Sequence, residues 1–176
     1  MATEPYGQWM GTPMGEADID DLLDSAGWGV LSLAKDDEPY SIPVSFGYTG
    51  EEVYFAFIRA TPPNTKFEFI EDGATARLLV TDVRGNFDWQ SVAVTGPVRA
   101  ITRRDDLGGE DLLSEIDDRP DRSTERGRDW AVLLDTLEEN AWFSSDYERA
   151  KPVSKLQGWR LEPDEIRGIE LRDDAE

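Results

Sequence analysis

The chain has 176 residues, enough for one domain with a sizeable core, and carries 38 acidic against 18 basic residues for a formal net charge of −20. Such a chain has no basic stripe to neutralise nucleic-acid phosphates, and no apolar run approaches the roughly 18 residues that span a bilayer. With neither cysteine nor histidine, it has no disulfides, thiolate catalysis, Cys-ligated metal site, Ser-His-Asp triad or His-ligated haem.

Six Trp and 39% hydrophobic residues argue for a packed core rather than disorder. The carboxylates are spread along the chain. At molar salt the Debye length falls to about 3 Å, so such a surface repels itself little and stays hydrated. The composition therefore reads as a halophile protein. The first residues carry neither a basic nor an apolar signal region, and the expectation is a soluble, cytoplasmic protein.

In chain order, Ile19, Leu22, Leu23 and Ala26 mark an amphipathic helix, with Asp18 expected to cap its start and Gly27 to end it. Strands are expected over 29–35 and 39–48, joined by the polar turn Asp36-Asp37-Glu38. The second alternates strictly: Tyr40, Ile42, Val44, Phe46 and Tyr48 share one face, and Ser41, Pro43, Ser45 and Gly47 the other. A third strand over 52–57 precedes Pro62-Pro63, and a short helix is expected over 65–72. Strands over 74–82 and 89–103 follow, the second bent or bulged at Gly96-Pro97. A polar insertion carries a short helix near 110–117 and a second with Trp130, Leu133, Leu134, Leu137 and Ala141 on one stripe. Two closing strands cover 153–161 and 165–172. This meander points to a mainly β fold, a small antiparallel barrel with a few peripheral helices. A single domain is expected over 1–176, its core about 18–103 plus 153–172 and its helical insertion about 105–150.

Thr65-Lys66-Phe67-Glu68 fits a capping box, with Thr65 as N-cap and Glu68 reaching back. Lys66 then sits where the helix already presents positive potential, a placement a bound phosphate would reverse from unfavourable to favourable. Two readings stay open: a solvated lysine beside an ordinary cap, or the receptor of an anion. Arg59 and Arg77 could add charge or serve as surface ion-pair partners. The small face Ser41/Pro43/Ser45/Gly47 leaves room for a flat ligand or is the solvent side of a sheet. Ser91 is free to bond a phosphate, a ring heteroatom or a neighbouring backbone group. Trp142-Phe143 covers either a pocket or a core or dimer contact. The acidic clusters Asp18/Asp20/Asp21/Asp24 and Asp117/Asp118/Asp121 lack EF-hand spacing and read as solvated faces, so no metal is expected.

Taken in order, Gly29-Val-Leu-Ser-Leu, Pro39-Tyr-Ser-Ile-Pro-Val-Ser-Phe, Val53-Tyr-Phe-Ala-Phe, Asn64-Thr-Lys-Phe and Ser91-Val-Ala-Val-Thr-Gly form a pattern. It resembles the pyridoxamine 5′-phosphate oxidase-like family of FMN-binding split-barrel proteins, nearest the nitroimidazole-resistance-like branch. The resemblance implies a six-stranded antiparallel split β-barrel of Greek-key type, and a homodimer with FMN in clefts between subunits. By position it places Ile42, Pro43, Val44 and Ser45 along the flavin ring through their backbone. It also places Phe55 and Ala56 on the next cofactor strand, Thr65 and Lys66 at the phosphate, and Ser91 as a polar contact. The loop between Phe55 and Lys66 is about three residues longer than usual by this comparison. The C-terminus lacks the family's Arg- and His-containing substrate motif. The implied activity is an FMN-dependent oxidoreductase acting on a small organic molecule, not a true pyridoxamine phosphate oxidase. A non-catalytic flavin-binding or flavin-sensing homodimer is the alternative, and a cofactor-free dimer with Phe57 in the cleft a third. Some relatives use a deazaflavin or haem, and the lack of His weakens the haem option. No catalytic side chain is assigned; Tyr40, Tyr48 and Tyr54 are candidate proton donors.

Overall fold

A computed structural model describes residues 11–58, 65–101, 125–138, 140 and 156–172. After the short strand β1 (Thr12–Pro13) come helix α1 (Glu16–Ala26) and strands β2 (Trp28–Lys35), β3 (Glu38–Tyr48) and β4 (Val53–Ile58). Helix α2 (Lys66–Phe69) precedes β5 (Thr75–Gly85) and β6 (Asp88–Ala100); α3 (Glu125–Glu138), β7 (Leu156–Leu161) and β8 (Glu165–Leu171) follow. Six strands close on themselves in the order β2-β3-β4-β7-β6-β5 and back to β2, every pairing antiparallel. β8 adds to β6 outside this ring, and β1 adds to β8. The fold is thus mainly β, a closed six-stranded antiparallel barrel, as the meander pattern implies.

Two strands divide their pairing between partners, and this splits the barrel. β3 pairs with β2 from Glu38 to Ser45, then with β4 from Phe46. β6 pairs with β8 through Thr95, then with β7 from Val98, and the switch falls at the expected Gly96-Pro97. There the β7–β8 turn lies directly on the strand. Glu162 N–H donates to the Pro97 carbonyl at 3.0 Å and Asp164 N–H to the Thr95 carbonyl at 2.9 Å. A Cβ on Gly96 would run into the Glu162 carbonyl oxygen and come within 2.9 Å of Asp164 N. Only glycine permits that approach.

Alternation supplies the core. Leu31, Phe46, Phe55, Leu78, Val80, Val92, Val94 and Leu161 point inward and are fully buried, each worth roughly 1.5–3 kcal/mol on apolar burial. α1 buries Leu22 and Leu23 against this core, and α2 buries Phe69. The Phe69 ring stacks on Tyr40 at 4.7 Å between centroids. α3 lies over β3 and β4 and covers a second cluster of Tyr54, Ile101, Trp130, Leu133 and Leu137. Its seat depends on Gly158, where a Cβ would meet Leu133 Cδ2 at 2.5 Å and Trp130 Cζ3 at 2.9 Å. Just beyond α3, the buried Asn140 amide donates to the carbonyls of Gly27 and Phe46. It thereby ties α3 to the α1 terminus and to the point where β3 changes partner.

Most expected boundaries agree within about three residues. Asp36 and Asp37 both take positive φ in the β2–β3 turn, 52° and 64°, as a tight two-residue hairpin requires. Gly27 ends α1 in the left-handed conformation. The start of α1 differs. Gly15, extended at φ −70° and ψ 159°, is the N-cap and no side chain caps the helix. Asp18 lies inside the first turn, where its carboxylate accepts from Arg172 at 2.7 Å. The expected helix near 110–117, the cluster Asp117/Asp118/Asp121, and Arg59, Ala141 and Trp142-Phe143 lie outside the described residues.

Candidate functional site

The capping box does not form. Thr65 has helical φ −48° and ψ −36° and makes no side-chain cap bond, whereas a capping N-cap residue needs an extended backbone to aim its oxygen at the free N–H groups. α2 is only four residues long, too short for peptide dipoles to accumulate. Any anion affinity here belongs to the side chain of Lys66. Its Nζ lies 4.9 Å from the centroid of the Phe57 ring and 5.6 Å from that of Phe67, and the two rings meet edge to face at 5.9 Å and 88°. Burial against them pulls the ammonium pKa below its ordinary 10.5. No carboxylate among the described residues pairs with Lys66. By contrast, Lys35 is paired with Glu71. In a chain of net charge −20, a half-buried ammonium held by two phenyl rings is an uncommon placement. Cation–π attraction offsets only about 0.5–2 kcal/mol of its lost hydration.

The other expected site residues divide between core and surface. Ile42 is half-buried and Val44 buried, both packed on the barrel interior. Pro43 and Ser45 belong to the opposite face, across from Val30 and Trp28 of β2. The small face of β3 is open only in part: Ser41 and Pro43 are exposed, but Gly47 is buried against Thr136 of α3. The Phe55 side chain is wholly inside the barrel. Ala56 packs against the cluster beneath α3.

Ser91 belongs to the outer face of β6, between Thr81 of β5 and Ile169 of β8. It is not beside Lys66. The segment after α2 is bound to the far half of β6, with Gly73 N–H donating to the Val98 carbonyl and Ala100 N–H to Asp72 Oδ1. Seven residues of strand, about 23 Å, separate Ser91 from Val98. One chain therefore brings Thr65 and Lys66 together, and Pro43 and Ser45 together, but leaves Ser91 apart. The outer face carrying Ser91 is apolar and open: Trp28, Leu79 and Ile169 are 45%, 39% and 46% exposed, flanked by Val30, Pro43 and Ala93.

Charge on the α3 side is arranged differently. Arg160 faces Glu52, Asp129 and Glu162 at 3.5, 3.4 and 2.6 Å, and Arg99 reaches Glu162 at 3.1 Å. Burial alone would raise the Glu162 carboxyl, but hydrogen bonds from Arg99 and Arg160 outweigh it and hold the pKa below its ordinary 4.5. Tyr54 donates to Glu52 at 2.7 Å and Tyr48 to Asp20 at 2.9 Å. Burial, then these carboxylate partners, raise both phenols, Tyr48 to about 12. Neither releases a proton near neutrality. No periodicity signals this network, because partners such as Asp129 and Arg160 lie on different elements. An open cleft of about 460 Å³ between α1 and the β5–β6 hairpin is lined by Asp18, Asp21, Asp82 and Asp88 with Arg84 and Arg172. It contains none of the expected site residues. Among the described residues no acidic cluster has metal-binding geometry, and no helix is long and apolar enough to cross a membrane.

Comparison with known proteins places this geometry. The chain is 18–20% identical or less to several solved structures that share its fold. A FAD-binding protein from Mesorhizobium loti is 20% identical at TM-score 0.58, with 90% of this chain and 96% of that one covered. The FAD binding protein from Mycobacterium smegmatis is 17% identical at TM-score 0.53, covering 92% and 99%. A candidate 5-nitroimidazole antibiotic resistance protein from Bacteroides thetaiotaomicron is 14% identical at TM-score 0.54, covering 91% and 88%. An uncharacterised protein of Rhizobium meliloti is 27% identical over 66 residues, which is 38% of this chain and 41% of that relative's length. The family model described as pyridoxamine 5′-phosphate oxidase matches residues 15–139. The chain belongs to the pyridoxamine 5′-phosphate oxidase family, and its closed six-stranded barrel is that family's split barrel.

Proposed function

We propose that the protein is an FMN-binding flavoprotein, a homodimer with the cofactor at the subunit interface, and an oxidoreductase acting on a small organic molecule other than pyridoxamine phosphate. The observation that carries this reading is Lys66, a desolvated cation with no carboxylate partner among the described residues. A phosphate would supply its missing counter-charge and accept its hydrogen bonds. The small outward residues Pro43 and Ser45 fit a flat ring lying against β3. FMN, when bound, supplies the hydride or electron transfer, while the chain supplies position and water exclusion. The exposed apolar face around Trp28, Leu79 and Ile169 favours a second copy as its cover. The distance between Ser91 and Lys66 likewise suits a site to which two chains contribute. The FAD-binding relatives support a flavin and leave the choice of flavin to measurement. The carboxylate-rich surface fits a salt-rich cytoplasm.

The test is the visible spectrum of protein purified in high salt, followed by titration with FMN, FAD and riboflavin. Oxidised-flavin bands, or uptake of FMN in preference to riboflavin, support the proposal; a colourless protein that takes up none of the three overturns it. The engaged hydroxyls of Tyr48 and Tyr54 favour a second reading, a non-catalytic flavin-binding or flavin-sensing homodimer. Turnover of reduced nicotinamide by the FMN-loaded protein separates the two.

A further inference from the structure

Among the described residues the buried polar side chains are Asn140 and Gln157. The Asn140 amide donates to the Gly27 and Phe46 carbonyls. The Gln157 amide, 7% exposed, has no hydrogen-bond partner among the described residues. Gln157 lies at the end of the barrel, second in β7 and opposite Phe57 of β4. Gly158 and Arg160 face α3, so alternation turns Gln157, Trp159 and Leu161 into the barrel, where Phe55 and Phe57 are also buried. Trp159 is 3% exposed, and its indole Nε1–H has no acceptor among the described residues. The third polar group at this end is Lys66, whose Nζ lies 4.9 Å from the centroid of the Phe57 ring. Residues directly opposite on antiparallel strands hold their Cβ atoms about 4.5–5.5 Å apart, so the Gln157 amide and the Lys66 ammonium both neighbour Phe57. No acid intrudes: Glu68 of α2 is exposed, and burial, with no carboxylate contributing, is what displaces the Lys66 pKa.

An amide buried among phenyl rings is costly unless something hydrogen-bonds to it, and buried groups left without partners call for a specific cause. An ammonium and an amide N–H2 beside one ring, with no acid near, suit an oxyanion. We infer that Gln157 is a second donor to the phosphate that Lys66 receives, and that the Trp159 indole N–H holds the amide in that orientation. This contact presupposes the FMN reading and adds to it a donor from the barrel interior. A glutamine amide is donor and acceptor at once. With its N–H2 turned to the phosphate, its carbonyl oxygen serves the orphaned indole N–H on the same strand face. The two residues are two positions apart in β7, about 7 Å along the strand, a gap that two long side chains close. Lys66 then supplies a point charge and Gln157 a fixed direction. All three groups belong to the inside of one chain's barrel, not to the outer sheet face assigned to the second copy.

The experiment titrates the full-length chain in high salt with FMN and with riboflavin, for wild type, K66M, Q157L and W159F. Flavin fluorescence reads the affinities, and 15N NMR reads the glutamine side-chain amides and the tryptophan indoles. Q157L keeps the bulk and removes the donor. Its FMN affinity should fall about ten-fold or more and its riboflavin affinity less than about three-fold, as a hydrogen bond to a charged group implies. In wild type, FMN should move the Gln157 N–H2 and Trp159 indole resonances, and riboflavin should leave both in place. That readout needs no substitution, so it reports the contact even where Q157L fails to fold. W159F should lower the FMN-to-riboflavin affinity ratio several-fold, a change that loss of packing alone would not produce; an unchanged ratio overturns the positioning role of Trp159. If K66M loses FMN selectively while Q157L does not and the Gln157 amide stays still, the second donor is overturned and the flavin reading stands. A Gln157 amide that riboflavin moves as far as FMN overturns it too, because the contact would then be to the ring or ribityl chain. Uptake of neither flavin overturns both.

Discussion

Replacing Lys66 by methionine keeps an unbranched side chain against Phe57 and Phe67 and removes only the charge. A charge-assisted hydrogen bond to a phosphate contributes roughly 1.5–3 kcal/mol, so FMN affinity should drop by about 10- to 150-fold. Riboflavin lacks the phosphate, and its affinity should change less than about three-fold on the same scale. Stability should barely move: the cation–π attraction lost is about 0.5–2 kcal/mol, and relief of the ammonium's desolvation offsets it. The pH dependence carries its own sign. Burial lowers the Lys66 pKa in the folded chain below the ordinary 10.5, so between those two values the unfolded chain binds the extra proton. Stability contributed by this group therefore rises with pH across that window. FMN binding needs the ammonium charged, so the ratio of FMN to riboflavin affinity should fall as pH climbs through the lowered value. Fluorescence titration of both flavins against wild type and K66M, at pH 7 and in steps to pH 10.5, measures all of this. Equal losses for the two ligands, or an FMN affinity untouched by the substitution, would refute the assignment of Lys66 to the phosphate.

Other substitutions probe the frame that holds the site. Gly96→Ala sets a methyl group against the Glu162 carbonyl and should cost more than about 4 kcal/mol, read as loss of a cooperative urea transition; a wild-type midpoint would contradict the packing at the strand switch. Asn140→Ala removes the side-chain donor to the Phe46 carbonyl and one of the two donors to the Gly27 carbonyl, which keeps the Phe46 N–H, and should cost about 1–3 kcal/mol in chemical denaturation. Below the ordinary 4.5 of Glu162, the stability contributed by its depressed carboxyl should be lost as pH falls through its folded value, and Glu162→Gln should flatten that acid limb. Raising KCl from 0.1 to 2 M should increase the urea midpoint, because the Debye length contracts from about 10 Å to under 3 Å across a surface of net charge −20; a decrease would show that repulsion between carboxylates does not limit stability.

The barrel was readable because its signals are local. Period-two alternation in 40–48, the Asp36-Asp37 turn and Gly27 each fix conformation within a few residues. Pairing partners are not local: nothing in the sequence near Val53 indicates that it will face Leu161. The capping box misled because Thr65 and Glu68 have the right spacing in a helix too short to use it. Lys66 is half-buried against two rings, a placement that helix-terminus reasoning does not reach. Gly47 looked like part of an open face because the covering residue, Thr136, comes 89 positions later. The pairing of Ser91 with Ile169, 78 positions later, was hidden for the same reason.

The ring is completed by β7, which inserts between β4 and β6 and joins residues about a hundred positions apart in the chain on the β4 side and about sixty on the β6 side. During synthesis, β4 and the end of β6 must wait as open edges until that segment emerges from the ribosome. Closure is therefore a late event that must search a long loop. Until it occurs, each waiting edge is a template for foreign strands. The net charge of −20 on the whole chain would keep nascent copies apart during that interval.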